Sequence, residues 1–447
     1  MRKISIENIV KYTNGNLLKK GDESFVERIC IDNREAKEKD LFIPIIGEVH
    51  DGHKFMEGAY ENGVRTFLID EKHSFEKDDI NLISVKDTTL ALGDLSKGYK
   101  ETFDIPFIAV TGSVGKTSTK DIIYSVISTK YKALKTKENF NNNIGLPRTL
   151  LSLEDEEMAI IEMGMDHKGE LDYLSNLVNP DIAVITNIGQ SHIMNFEDGQ
   201  DGIFKAKMEI TNGLKDDGTL IINGDDKYLK TLKELNHNYK LITCGFEDDN
   251  DIYCKKYELV NDSMKFTAVY NGEEHEFVIG SPAKHNVLNS LFAIAIANIY
   301  NIEEESIRKG LNDFKLSSNR LDVIKTDKYT IINDTYNASY DSMKSALEVL
   351  NNYDTRKVAI LGDILELGDY SEEIHRNVGK LITCDLLITI GEDSKYINEE
   401  VNIENYHFDT KEEFYEKESE LLKDGDTILV KASHGIGLLE VVEYLQK

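Results

Sequence analysis

A lysine and a threonine close a glycine-rich turn within residues 105–121, IPFIAVTGSVGKTSTKD. Ile105 to Val110 is an apolar run of strand formers. Gly112, Ser113 and Gly115 follow, then Lys116, Thr117 and Ser118. From Thr117 the apolar positions Ile122, Ile123 and Val126 take helical spacing. A strand, a Gly-rich turn and a helix start together cradle a phosphate, because backbone N–H groups and the positive helix end converge on the anion. Lys116 adds a mobile cation, and Thr117 a hydroxyl suited to Mg²⁺. The match to the standard P-loop is incomplete, since Val110 stands where that motif has its first glycine. A tight turn that happens to carry a lysine is the alternative. The flanking strand and helix favour the cradle.

Other polar residues sit where open α/β sheets place their ligands, at the carboxyl ends of strands. Glu162 ends the expected strand Met158–Ile161 and is a natural Mg²⁺ ligand beside a phosphate cradle; a solvated strand-end glutamate reads equally well. His192 lies in a loop after the expected strand Asp181–Thr186, where most histidines do nothing special. Lys205 and Lys207 are two apart and cannot share one helix face; by charge alone their segment reads as a solvated helix. Asn139 and Asn141 to Asn143 offer donors and acceptors for a polar ligand, or form a surface loop. The islands 31–34 and 47–53 read on composition as turns.

These residues need a scaffold, and 447 residues suggest two to four domains. Strand-like runs are expected at Arg28–Asp32, Asp40–Ile46, Thr66–Ile69 and Leu82–Val85, with a helix at Phe55–Asn62. A second α/β unit follows, with a strand at Thr219–Ile222 and a hairpin about Asn271-Gly272. Lys284–Tyr300 reads as a buried helix. From residue 320 strands and helices alternate as in a parallel, doubly wound sheet: strands Thr330–Asn333, Lys357–Leu361, Leu386–Ile390 and Thr427–Val430, and helices Asp341–Asn351, Glu372–Ile382, Lys411–Leu422 and Leu438–Leu445. The expected divisions are 1–103, 104–316 and 317–447, with a hinge at 315–319.

With 52 Lys+Arg against 81 Asp+Glu, the acidic surface argues against nucleic acid and anionic lipid as partners. No membrane-spanning run and no leader core are expected. Four scattered cysteines fit reduced thiols in a cytoplasmic protein.

Taken together the stretches TGSVGKTSTK, NFNNNIGLPRTLL, EMGMDHKGEL, TNIGQSH, AKMEI, NGDD, HNVLN, NRL, NDTYNAS, LGDILELG and VKASHG, in this order over nearly the whole chain, resemble the Mur ligase family. Within it they are most similar to the branch that joins D-Ala-D-Ala to UDP-MurNAc-tripeptide. The resemblance implies three α/β domains: a smaller N-terminal one for the UDP-sugar peptide, a central P-loop ATPase, and a C-terminal Rossmann-like one that closes on ATP and takes the acceptor. It implies ATP-dependent amide ligation through an acyl phosphate in cytoplasmic peptidoglycan precursor synthesis, by a monomer.

By the same resemblance Gly112, Ser113, Gly115, Lys116, Thr117 and Ser118 hold ATP, with His285, Asn286, Asn289, Arg320, Asp334 and Asn337. Thr117, Glu162, His192 and Lys207 hold two Mg²⁺ ions, Lys207 as a carbamate. Lys116, Lys207 and His192 are the catalytic set. Asn33, Arg34, Gly47, His53 and Asn141, Asn142 and Asn143 contact the substrate. The chain departs from the family pattern at Asn33, Gln190, Ser339, Tyr340, Ala432 and His434. Alternatives are a Mur-type ligase for another amino acid or a depsipeptide, and a P-loop kinase or NTPase. The latter gives no reason for the stretches at 319–339 and 361–368.

Overall fold

The computed structural model describes residues 1–47, 49–260, 262–315 and 319–447. Glu48, in one expected turn, and residues 316–318, at the expected hinge and second domain boundary, lie outside the described residues.

Three sheets organise the chain. The first is five-stranded, in the order Asn16–Lys19, Asn81–Val85, Thr66–Asp70, Asp40–Phe42, Arg28–Cys30. It is parallel except at the first pair. Two expected strands are shorter than their apolar runs. Asp40–Phe42 stops short of Pro44, which has no N–H to give a ladder. Asp32 leaves its strand to accept the N–H of Arg34, capping a 3-10 turn, Asn33–Glu35. Asp51 caps Gly52–Phe55 in the same way, ahead of helix Met56–Glu61. Both islands are therefore turns at this level.

The central sheet has nine strands, in the order Glu273–Ile279, Ser263–Tyr270, Ile252–Val260, Lys240–Gly245, Thr219–Asn223, Ile182–Ile185, Phe107–Thr111, Met158–Glu162, Ala133–Lys135. In Phe107–Thr111, Phe107 and Ala109 join one core while Ile108 and Val110 join the other. Burial on both faces explains the unbroken apolar run. The chain leaves this strand toward both sides of the sheet, because its two neighbours are Met158–Glu162 and Ile182–Ile185. A crevice opens at the carboxyl ends where the winding reverses. Asn271 and Gly272, both at positive φ, turn the expected hairpin.

The third sheet has six strands, in the order Asp322–Lys325, Thr330–Asn333, Thr427–Lys431, Lys357–Gly362, Leu386–Ile390, Glu404–Phe408. It is parallel apart from its first pair. Ala359 and Leu361 feed one core, and Val358 and Ile360 the other. Its winding reverses about Thr427–Lys431, so Asp334, Lys431 and Asp363 cluster at one end. No helix among the described residues is long and apolar enough to cross a membrane.

Candidate active site

The reversal points of the second and third sheets face a common cleft of about 1100 Å³. Ser113 to Ser118, Asn139, Asn141 to Asn143, Glu162 and His192 line it from the central sheet, with His285 and Asn289. Arg320, Asp334, Asn337, Lys431 and Glu366 line it from the C-terminal side. Leu90 reaches it from the N-terminal domain.

The glycine-rich turn is tightly built. Gly112 has φ of 151°, and a Cβ there would lie 1.9 Å from Thr186 Oγ1. Gly115 has φ of 86° and precedes helix Lys116–Ile127. Ser113 and Val114 donate backbone N–H groups to Asn187 O and Oδ1 at 3.1 and 3.0 Å. Ser113 Oγ accepts from Gly189 N–H at 2.8 Å. Lys116 Nζ folds back on its own loop, donating to Gly112 O at 2.9 Å and Ser113 O at 3.3 Å. Burial lowers the Lys116 pKa, against the opposing pull of Glu162.

Glu162 is 2% exposed. Its Oε1 accepts from Asn141 Nδ2 at 2.9 Å. Its Oε2 lies 3.7 Å from Lys120 Nζ and has no hydrogen-bond partner. Asn142 Oδ1 accepts from Gly145 N–H at 2.8 Å, starting helix Gly145–Leu151. The amide run is therefore partly structural.

Charge alone misread the lysine pair. Helix Gln200–Met208 exposes Lys205, which pairs with Asp198, and buries Lys207 to 2% exposure. No hydrogen bond or ion pair holds the Lys207 ammonium among the described residues. Burial first, and Lys116 second, push its pKa well below the usual lysine range. His192 has a left-handed backbone and faces Asp166 and Glu366. Burial lowers its pKa against those carboxylates.

Helix Lys284–Ile299 begins beside the cleft. Asn289 Nδ2 donates to Asn286 Oδ1 at 2.9 Å, and Asn286 Nδ2 to Ser281 Oγ at 2.8 Å. Burial takes the His285 pKa down to about 4. Arg320 stacks over Tyr336 at 3.7 Å. Asn337 Oδ1 accepts from Ala338 N–H at 2.9 Å.

The sequence reading passed over Lys431. It is 1% exposed, lies 2.6 Å from Asp334 Oδ2 and donates to Asn337 O at 2.7 Å. Burial lowers its pKa in spite of Asp334. Its place at a strand end in VKASHG was the available signal. Asp166 and Glu366 were also passed over, being common residue types in loops.

Gly112, Asn286 and Lys207 sit behind the cleft lining. Asn33, Arg34, Gly47 and His53 lie away from it, in the N-terminal domain. Arg34 pairs with Asp32 and its side chain is 84% exposed. His53 is buried and pairs with Asp51 at 2.7 Å.

Profiles of known families cover each sheet in turn. The Mur ligase family catalytic domain matches residues 26–100, the Mur ligase middle domain 110–297 and the Mur ligase glutamate ligase domain 319–434. The chain is 39% identical to UDP-N-acetylmuramoyl-tripeptide–D-alanyl-D-alanine ligase of Bacillus subtilis, over 100% of this chain and 99% of that one. It is 29% identical to the ligase of that name in Escherichia coli, with the same coverage. The crystal structure of MurF from Acinetobacter baumannii superposes with a TM-score of 0.93 at 30% identity, covering 100% and 99% of the two chains. That of Thermotoga maritima MurF in complex with ADP gives 0.86 at 25% identity, covering 94% and 97%. Three consecutive domain matches and full-length identity to these ligases place the chain in the Mur ligase family.

Proposed function

We propose that the chain is an ATP-dependent, ADP-forming ligase that adds D-Ala-D-Ala to UDP-MurNAc-tripeptide in peptidoglycan precursor synthesis. One observation carries the reading: a single cleft joins a phosphate cradle and an under-coordinated Glu162 to the cationic end of a second sheet. A carboxylate is a poor electrophile and repels the γ-phosphate. Cations must hold both anions while aligning them.

Backbone N–H groups after Gly115 and the Lys116 ammonium receive the β/γ-phosphates, Lys116 exchanging its carbonyl acceptors for phosphate oxygens. Asn289, behind the glycine turn, and His285 edge the nucleotide. Arg320, Asp334 and Asn337 reach it from the C-terminal domain. Thr117 and the free Oε2 of Glu162 are hard oxygen donors and fit Mg²⁺. A divalent cation bound there screens the phosphate charge that opposes attack.

Lys207, whose pKa burial pushes well below the usual lysine range, fits reaction with CO₂ through its deprotonated amine. Its nitrogen bonds the carbon and a proton leaves, turning a buried base into an anion beside His192. The tripeptide carboxylate attacks the γ-phosphorus and ADP departs. The D-Ala-D-Ala amine then attacks the acyl carbon, and phosphate leaves as the amide forms. Asn33, Arg34, Gly47 and His53, remote from the cleft, hold the nucleotide-sugar end of this long substrate, and Asn141 to Asn143 its peptide end. Four buried cysteines without disulfides support a reducing, cytoplasmic setting, and we take the working unit as one chain.

A phosphate-release assay with UDP-MurNAc-tripeptide, ATP and D-Ala-D-Ala, each omitted in turn, tests the reading. Release that needs all three is the expected result. Release without the amine acceptor would make the protein an NTPase or kinase. D-Ala-D-lactate in place of the dipeptide separates a depsipeptide ligase.

A further inference from the structure

Loop 186–190, which follows strand Ile182–Ile185, braces the glycine turn. Asn187 accepts the N–H groups of Ser113 and Val114, Thr186 Oγ1 donates to Val114 O at 2.6 Å, and Gly189 N–H donates to Ser113 Oγ. Asp226 Oδ2 accepts the Ile188 N–H at 2.9 Å, and Gln200 Nε2 donates to Ile188 O at 3.1 Å. The central domain thus holds the loop at each residue from 186 to 189.

Across the cleft, Asp341 stands in the first turn of helix Tyr340–Asn351. A carboxylate at that place ordinarily serves its own helix. Here Ser339 and Ser342 cap each other reciprocally, which leaves Asp341 free to reach out of its domain. It rests on Gly189: a Cβ built on that glycine would lie 2.3 Å from Asp341 Oδ2 and 3.2 Å from Ser113 Cβ. Gly189 is not at positive φ, so close approach, not backbone freedom, asks for glycine there. Burial pushes the Asp341 pKa up against Lys344; Asp226 adds to the rise and the Gln190 backbone N–H opposes it. Desolvating a carboxylate costs free energy, and carboxylates perturbed in this way gather at functional sites.

We propose that Asp341 is a positioning residue: its contact with Gly189 seats the C-terminal domain on the loop that braces the glycine turn. This rests on the phosphate-cleft reading. The contact does not itself hold nucleotide, because the hydrogen bonds of the brace lie within the central domain. It sets the register between the phosphates held by one lobe and the groups brought by the other. Misplacement there by about 1 Å can cost about a hundredfold in rate.

Phosphate release by the full chain, with UDP-MurNAc-tripeptide, ATP and D-Ala-D-Ala, tests this beside the affinity for a methylene-bridged ATP analogue. Asp341→Ala should lower kcat about tenfold or more and leave the analogue's affinity within about threefold. Asp341→Asn keeps an accepting oxygen and should recover kcat to within about threefold of the unmodified protein. Gly189→Ala puts a methyl where the carboxylate lies and should lower kcat as Asp341→Ala does. The double variant should fall no further than either alone, since both remove one contact. Asp262→Ala removes a different contact between the same two domains, the pair with Lys325 at 2.9 Å, and should change kcat by less than about twofold. The proposal is overturned by Asp341→Ala within about twofold of the unmodified kcat, by Asp341→Asn no better than Asp341→Ala, by losses that multiply in the double variant, or by an equal loss in Asp262→Ala. If Gly189→Ala does not fold, the two Asp341 variants decide. An unmodified protein that binds no analogue and releases no phosphate would instead overturn the phosphate-cleft reading.

Discussion

The N-terminal domain and the cleft each gather acidic and imidazole groups, and the fold treats the two gatherings differently. In the first, His53 Nδ1 meets Asp51 Oδ1 at 2.7 Å, and its Nε2 accepts the N–H of Asp70 at 3.3 Å. His73 stacks on that ring at 3.8 Å, nearly parallel, and spans Asp70 and Asp51 at 2.7 and 3.0 Å. Every ring nitrogen has a partner. Parallel rings this close cannot both aim an in-plane lone pair at one ion, so the group braces the turn of 51–55 against the strand end at Asp70. In the cleft, Glu162 Oε2 is buried with no hydrogen-bond partner, the Lys120 ammonium standing off at 3.7 Å. Native interiors seldom tolerate that. Residue types that bear chemistry are common to both places. Of the two gatherings, the one with an unpartnered buried carboxylate oxygen is the cleft.

The comparison can be broken at four points. Lys116→Ala should cut phosphate release by about a thousandfold or more while the thermal midpoint stays put; near-normal turnover would remove the phosphate role. Lys431→Met strands Asp334 in the interior and should cost about 3–5 kcal/mol in denaturant unfolding of the C-terminal domain, a loss that no variant of the exposed N-terminal pairs should match. Lys207→Ala should lose most activity and recover part of it in acetate. No rescue, and no added mass on Lys207, would leave it a plain lysine.

The smallest effects have opposite signs in the two regions. His285 titrates near 4 in the fold against 6.5 in the unfolded chain. Its stability contribution is complete above pH 6.5 and drains away toward pH 4, as the unfolded chain binds the proton more readily. His285→Gln should flatten that acid limb. His73 is raised instead, by Asp70 first. Its contribution is complete below 6.5 and is lost as pH climbs through the raised value. His73→Gln should therefore cost stability on the acid side only, about 1 kcal/mol or less, with phosphate release unchanged. Identical pH profiles for the two variants would dissolve the distinction.

Much of the scaffold was legible because the apolar runs of parallel strands are continuous, as at Phe107–Thr111 and Leu386–Ile390. Helices Ile6–Thr13 and Thr88–Lys100 were missed although Ser5 and Asp87 cap them. Their caps look like ordinary loop residues until the following turn is seen. Strand Lys240–Gly245 was missed because its run after Lys240 is short, and Ile252–Val260 because charged and exposed residues interrupt it. Of the cleft, the glycine turn was readable from local pattern alone, whereas Glu162 read equally well as a solvated strand end until its burial was seen. The burial of Lys207 was not, because a helix face becomes interior only through tertiary packing. Nor was the pairing of Lys431 with Asp334, which lie 97 residues apart and meet only because the third sheet inserts its last parallel strand between earlier ones.

That late insertion bears on the order in which the protein comes into being. Thr427–Lys431 sits between Thr330–Asn333 and Lys357–Gly362, so neither earlier strand has its inner neighbour until residues 427–431 have been made. During synthesis the central sheet, whose strands all precede residue 280, can therefore fold well before the sheet opposite it.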